Sequence, residues 1–277
     1  MDINKSVKFW DDNPVDGLLH DAKSRLEFRK KKDRWIAVFP DSLQEGERML
    51  SIGCGQGTDV FLASGKVNHD TKIVGLDISL SSLKSAVNEI KQTALNNNLI
   101  FISADAQKLP FRGESFDTVW SLGVLHHVSD IELALSEIKR VLKPGGKLFL
   151  MLYRRSCPKG ILVNMARKIS RFIDKVMQKD YYIYNKIRKS NIENKLGTAI
   201  YELFGCPTLN LYSGKQVHKL LRNFLNIKIE SYESGIYGLN VFLPKRSKRF
   251  FLLILNLFDP SRNCLGFHWL ITIKKDS

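Results

Sequence analysis

The stretch from Met49 to Asp59, Met-Leu-Ser-Ile-Gly-Cys-Gly-Gln-Gly-Thr-Asp, constrains this chain more than any other. An apolar run enters a turn carrying Gly53, Gly55 and Gly57. Glycine tolerates left-handed backbone and leaves no Cβ between the chain and a ligand. Such a turn at the end of a parallel strand marks a nucleotide-like cofactor site. The spacing is G-x-G-x-G, and Thr58 stands where a dinucleotide fingerprint has its last glycine. No Gly-Lys-Ser/Thr follows, so the turn is not a P-loop.

From Arg48 onward short apolar runs alternate with helical patterns, as in βαβ units. The runs predict strands at Arg48–Ile52, Lys72–Asp77, Leu99–Ser103, Phe116–Ser121 and Lys147–Tyr153. Ser79 is placed to cap a helix reaching about Leu95, with Leu83, Val87, Ile90 and Ala94 at helical spacing. Ser129 and Glu132 have the spacing of a capping box, and Pro144-Gly145-Gly146 closes the helix that follows. Farther on, Ile161 to Val176 is amphipathic, with Leu162, Met165, Ile169, Phe172 and Val176 in one stripe among Arg167, Lys168, Arg171 and Lys175. A loop-rich stretch to about Leu211, a short helix near Gly214–Phe224, and strands at Leu225–Glu230 and Phe267–Ile273 complete the pattern. Residues 1–46 form a lead-in with the aromatic, acidic and turn-forming run Phe9 to Pro14, then a basic, helical stretch from Ala22 to Phe39.

Asp77 ends the second strand, where a carboxylate accepts both hydroxyls of a ribose. Asp105 ends the third, a placement suited to the exocyclic amine of an adenine. Taken in order, the glycine turn, Val74 to Asp77, Asp105 to Phe111, Phe116 to Ser121 and Val141 to Leu148 resemble the class I S-adenosylmethionine (SAM) dependent methyltransferases of the small-molecule type. The resemblance implies an α/β, Rossmann-like, seven-stranded and mostly parallel sheet with its last strand antiparallel, flanked by helices and carrying a helical cap insertion. It implies a single methyltransferase domain: a lead-in or lid at 1–46, a SAM-binding core at 47–153, a substrate cap at 154–224, and closing strands with an inserted apolar segment at 225–277. Gly53, Gly55 and Gly57 would face the methionine part of SAM, Asp77 the ribose and Ile78 the adenine. Asp105 and Ala106 would contact the adenine amine and ring, and Ser121 and Leu122 the methyl-transfer end. The Phe9–Pro14 entry and the closing Gly266–Ile271 recur in one loosely defined branch of such proteins, which says little about substrate.

Methyl transfer is an in-line displacement that leaves S-adenosylhomocysteine, and the protein chiefly positions the reactants and excludes water. An oxygen or nitrogen acceptor often also gives up a proton. His126 and His127, just past the fourth strand, are the candidate bases. The alternative is that one packs on the sheet while the other binds backbone. Trp10, Tyr153 and Tyr212 are candidate pocket walls or plain core. Cys54 is either a reactive thiol or a small residue that fits the turn.

Charge divides the chain. Residues 1–150 hold 20 Lys+Arg and 20 Asp+Glu, whereas residues 151–277 hold 23 and 8, which accounts for the whole net charge of +15. The asymmetry predicts an anionic partner for the second half: a phosphate- or carboxylate-bearing metabolite, an anionic membrane face presenting a lipid-linked acceptor, or RNA. The competing expectation is a solvated lysine-rich surface. For the membrane case Phe250–Phe258, flanked by Arg246, Lys248 and Arg249, would add to the 161–176 helix. Against RNA, no appended binding module or stacking pattern is evident. A non-catalytic SAM-fold binding protein is a third alternative, disfavoured by the intact glycines and acids. Cys54, Cys157, Cys206 and Cys264 lack C-x-x-C spacing, so neither a disulfide framework nor a zinc site is expected and a reducing cytosol fits. The polar N-terminus reads as lacking a signal peptide, and no run approaches the roughly 18 apolar residues of a membrane span. The expected location is cytoplasmic, with peripheral contact at the inner membrane face in the membrane version.

Overall fold

The computed structural model describes residues 3–14, 21, 23–27, 43–65, 67, 71–92, 98–189, 203–232 and 266–276. Most of the basic 22–39 stretch, the Phe250–Phe258 run and Cys264 lie outside the described residues. The strands are β1 (Arg48–Ile52), β2 (Lys72–Asp77), β3 (Leu99–Ser103), β4 (Phe116–Leu122), β5 (Leu142–Tyr153), β6 (Ile227–Tyr232) and β7 (His268–Lys274). They form one sheet in the order β3-β2-β1-β4-β5-β7-β6. Strands β1 to β5 pair in parallel, and the last strand, β7, runs antiparallel to both β5 and β6. The strand order reverses at β1, between β2 and β4. In open α/β sheets ligands bind in the crevice at the carboxyl ends beside such a reversal.

Both faces of the sheet are covered, which is why its central strands are almost continuously apolar. On one face Met49, Ile73, Trp120, Phe149 and Met151 pack with Val60, Leu62 and Ala63 of α2 (Thr58–Ser64) and Leu83 of α3 (Leu80–Gln92). On the other, Leu50, Ile52, Val74, Leu76, Val119 and Leu148 meet Ala134, Leu135 and Ile138 of α4 (Ile131–Val141), a cluster that also takes in Val217 of α7 (Gly214–Leu220). The switch from Met49 to Leu50 is the two-residue period of a strand.

Several boundaries differ from expectation for identifiable reasons. The first helix, α1 (Ile3–Asp12), occupies part of the lead-in. Asp130, not Ser129, caps α4, its carboxylate accepting the Leu133 N–H at 3.0 Å, while the Ser129 hydroxyl donates to Gln107 at 2.8 Å. Pro144-Gly145-Gly146 is a bulge inside β5 rather than a separator. Pairing with β4 jumps there from Phe116–Leu142 to Thr118–Lys147, and Gly145 N–H donates to the Lys275 carbonyl at 3.0 Å. Helix α5 (Pro158–Val176) starts ahead of Ile161 because Cys157 accepts the Gly160 N–H at its N-terminus. Helix α6 (Tyr182–Lys189) lies in the stretch read as loop-rich. Asn226, at φ 52°, turns the chain just before β6, so that strand begins two residues later than read.

Candidate functional site

The glycine turn leaves β1 at the reversal of strand order. Gly53, at φ +70°, donates to the Leu76 carbonyl, and Cys54 donates to the same oxygen at 3.0 Å. A Cβ on Gly53 would stand 2.2 Å from the Val124 side chain, so this glycine lets the turn press against the loop that follows β4. Gly55, at φ +53°, has open space where a Cβ would project. Gly57, at φ +83°, is the N-cap of α2. Gly53→Ala combines left-handed strain of about 1–2 kcal/mol with overpacking of about 1–3 kcal/mol. The expected result is a destabilisation of roughly 2–5 kcal/mol, read as a fall in the urea midpoint. The Cys54 thiol is buried in the core, and burial together with Asp77 and Asp59 pushes its pKa well up. It is a packing residue, not a ready nucleophile.

Arg25 fastens this turn from outside. Its side chain is 2% exposed, pairs with Glu89 of α3, and donates to Gln56 O at 3.3 Å and Thr58 Oγ1 at 3.4 Å. Nothing in the sequence singles out Arg25 from its basic neighbours, because its partners are 31 to 64 residues away.

Asp77 stands beside the turn at the end of β2. Oδ2 accepts the Gly55 N–H at 2.7 Å and Oδ1 the Ser79 N–H at 2.8 Å. Burial raises its pKa, the three backbone bonds pull it down, Asp11 raises it, and the net is upward. The carboxylate has about four lone-pair positions against these three donors, which leaves room for a further donor such as a ribose hydroxyl. Ile78 beside it is half-buried. Across the sheet edge, Asp105 is held by Gln107, whose backbone N–H donates to Oδ1 at 2.9 Å and whose amide nitrogen lies 3.1 Å from both oxygens. The Gln107 carbonyl oxygen in turn accepts Ser129 Oγ and the Asp130 N–H. Gln107 thus ties the loop after β3 to the start of α4, a role not foreseen from its type. Ala106 is buried in the core beside it.

Ser121 and Leu122 end β4. Leu122 packs with Trp120 and Met151, and Ser121 is fully buried with no hydrogen-bond partner for its hydroxyl among the described residues. Beyond them Leu125–His127 forms a 3₁₀ turn. His127 Nδ1 lies 2.9 Å from the Thr208 carbonyl and 3.3 Å from Cys206 Sγ. A carbonyl only accepts, so Nδ1 carries the proton in the neutral ring and Nε2 is the basic nitrogen. His126 is buried, stacked on Tyr153 with centroids 3.9 Å apart, and burial with the neighbouring histidines holds its pKa well below the ordinary value. Tyr212 belongs to the main core, and burial pushes its hydroxyl up to about 12.

Helix α1 joins these parts. Trp10 meets the His127 ring edge-on at 4.9 Å. One residue on, Asp11 accepts Ser79 Oγ at 2.8 Å and the Ser81 N–H at 3.1 Å, next to Asp77. Asn13 accepts the Tyr184 hydroxyl of α6 at 2.8 Å. The helix therefore links the residues just past β2 to those just past β4, and through Phe9 it meets Tyr184 of α6. Burial opposes ionisation of Asp11, but its bonds to Ser81 and Ser79 win and its pKa is lowered. The stabilisation is present above the ordinary carboxylate range and lost as pH falls through the lowered value. Protection factors for hydrogen exchange over residues 3–12, corrected for the intrinsic rate at each pH, should fall on acidification, and Asp11→Ala should give that weak protection at neutral pH.

The arrangement suits a nucleoside cofactor with an amino-acid tail. An open glycine backbone lies next to a carboxylate with spare lone pairs, and Gln56 Oε1 and Ser121 Oγ are buried polar atoms without protein partners among the described residues. Buried polar groups are normally satisfied, so such orphans are places for ligand or water.

Comparison with known proteins agrees. A family model described as a methyltransferase domain matches residues 43–223. The chain is 34% identical over 142 residues to the 27-O-demethylrifamycin SV methyltransferase of Amycolatopsis mediterranei, covering 51% of this chain and 48% of that one. It is 34% identical over 137 residues to the ubiquinone/menaquinone biosynthesis C-methyltransferase UbiE of Rhizobium etli, covering 48% and 52%. The aligned stretch spans about half the length of these curated relatives. Among solved structures, phosphoethanolamine N-methyltransferase 2 of Haemonchus contortus with bound SAM matches with TM-score 0.54 and 17% identity over 89% of this chain and 53% of that one. The YcgJ protein of Bacillus subtilis matches with TM-score 0.51 and 17% identity over 87% and 98%. At such identities the likeness is one of fold. The family match, by contrast, extends from the residues before β1 to those after α7, and on that ground the chain belongs to the class I SAM-dependent methyltransferases.

Proposed function

We propose that the protein moves the methyl group of SAM onto a hydroxyl oxygen of a small-molecule acceptor, with His127 as the general base. The observation that carries this reading is the placement of α1. One helix is bonded through Asp11 to Ser79 and Ser81, just past Asp77, and meets the His127 ring through Trp10. A relative's printed name, 27-O-demethylrifamycin SV methyltransferase, supports an oxygen acceptor, and the relatives in general support a small molecule over RNA.

The backbone at Gly53, Gly55 and Gly57 takes the methionine part. Asp77 accepts the ribose hydroxyls, and Ile78, Asp105 and Ala106 border the adenine, with Gln107 setting the Asp105 carboxylate. Ser121 and Leu122 lie at the methyl end. SAM supplies a methyl group already activated by its sulfonium. His127 Nε2 takes the acceptor's proton, while Nδ1–H on Thr208 O fixes the tautomer. His126 holds a proton poorly because of its burial and serves as the stacked spacer beneath Tyr153. Closure of α1 excludes water. Basic side chains of the cap, among them Arg167, Lys168 and Arg171 around a groove with Thr208 and Asn210, favour an acceptor bearing a phosphate or carboxylate.

The test is incubation with methyl-labelled SAM and cell extract, followed by separation of RNA, lipid and water-soluble metabolites. Label is expected in a metabolite or lipid fraction and to withstand ribonuclease. Label confined to RNA would overturn the small-molecule reading.

A further inference from the structure

Helix α5 is inside out. Ile161, Leu162, Met165, Ile169, Phe172 and Val176 fall within a stripe about 100° wide, yet they are 46 to 67% exposed. The opposite face turns Gly160, Ser170 and Asp174 inward. Asp174 accepts the Tyr182 N–H at 2.8 Å, and Arg167 donates to Leu203 O and Cys206 O at 3.0 Å each. A surface helix ordinarily buries its apolar stripe and hydrates its polar face. Here the polar face anchors the helix to the cap, and an apolar strip roughly 22 Å long faces outward.

We propose that this strip lies in the plane of an anionic lipid bilayer. The proposal is independent of the methyl-transfer reading. Charge identifies the occupant. Exposed Lys168 and Lys175 border the stripe, and exposed Lys179 follows the helix. The single acid of α5, Asp174, points inward. From residue 154 to residue 189 the chain carries 11 Lys+Arg against 2 Asp+Glu. A second copy meeting this face would bring the same excess against it, and like charges repel. Anionic headgroups supply the opposite charge, with lysine stems lying along the apolar strip and their ammonium groups in the headgroup layer. Among the described residues no helix is long and apolar enough to cross a membrane, so α5 rests on the surface. It begins just past the carboxyl end of β5, at the edge of the sheet that holds the candidate site. Docking there turns the cap toward acceptors dissolved in or tethered to the membrane.

The test is sedimentation of the full chain with vesicles of phosphatidylcholine alone and of phosphatidylcholine mixed with phosphatidylglycerol. Pelleting is expected with the anionic vesicles, not the neutral ones, and should weaken with salt. The double variant Ile169→Gln and Phe172→Gln, which alters only exposed side chains and keeps helix propensity, should lower the affinity by about tenfold or more with an unchanged unfolding midpoint. Lys168→Glu with Lys175→Glu should lower it as well. Absence of pelleting, or pelleting untouched by the glutamine pair, would overturn the proposal. So would a lipid-free dimer that the glutamine pair converts to monomer, because it would assign the stripe to a second copy.

Discussion

Asp77→Asn is expected to weaken SAM binding by roughly a hundredfold. Hydrogen bonds to a charged acceptor are worth about 1.5–3 kcal/mol each, and every 1.4 kcal/mol is a factor of about ten in affinity. The substitution costs more than charge. Both Asp77 oxygens face backbone donors, Gly55 N–H and Ser79 N–H. An asparagine amide keeps one acceptor and turns an NH₂ group toward the other N–H, so the turn itself is strained. The raised pKa of Asp77 adds a sign that distinguishes this role from a purely structural one. In the proposed role the ionised carboxylate accepts ribose hydroxyls, and the protonated form loses one acceptor position. Affinity is therefore highest above the raised pKa and falls as pH drops through it, and binding near that pH releases a proton. Calorimetry in two buffers of different ionisation enthalpy reads both effects. Wild-type affinity in the variant, or binding that is flat with pH, would remove Asp77 from the cofactor site.

The central strands β1 and β2 are legible because they are buried on both faces and need no partner to be recognised, and the partly exposed edge strand β3 is legible from its apolar run alone. Arg48–Ile52, Lys72–Asp77 and Leu99–Ser103 have the bounds read from apolar runs alone. Legibility failed where a long-range partner decides the matter. Ser129 has the type and spacing of a helix cap, yet Gln107, from the loop after β3, takes its hydroxyl and leaves Asp130 to cap α4. Arg25 looks like one cation among many until Glu89 and the glycine turn fold around it. The α5 pattern was read as amphipathic, but periodicity gives no sign of which face turns inward. That choice is made by Arg167 and Asp174, whose partners are the backbone of Leu203, Cys206 and Tyr182. At the site, the histidine pair was visible in the sequence, but what separates its members was not. Thr208, 81 residues from His127, orients one ring, and Tyr153 covers the other.

That separation makes the second large effect specific to one histidine. His127→Ala is expected to lower turnover by about 10²–10⁴, the usual contribution of a positioned base, while SAM affinity changes little. The loss should appear in kcat at saturating SAM and acceptor, since proton removal belongs to the reacting state. His126→Phe keeps a flat ring against Tyr153 and removes a group whose burial already disfavours protonation. It should retain most of the turnover. The pair of variants tests the assignment in opposite directions. If His127 only packed against Trp10, its alanine variant would lose stability and substrate affinity together, and kcat of the folded fraction would hold. If His126 were the base, the phenylalanine variant would be the inactive one. A hydroxyl acceptor adds a further check. An acceptor analogue with a lower hydroxyl pKa needs less help from a base, so it should narrow the gap between His127→Ala and the wild type. A gap that stays constant as the acceptor becomes more acidic would mean that His127 acts by position and not by taking the proton.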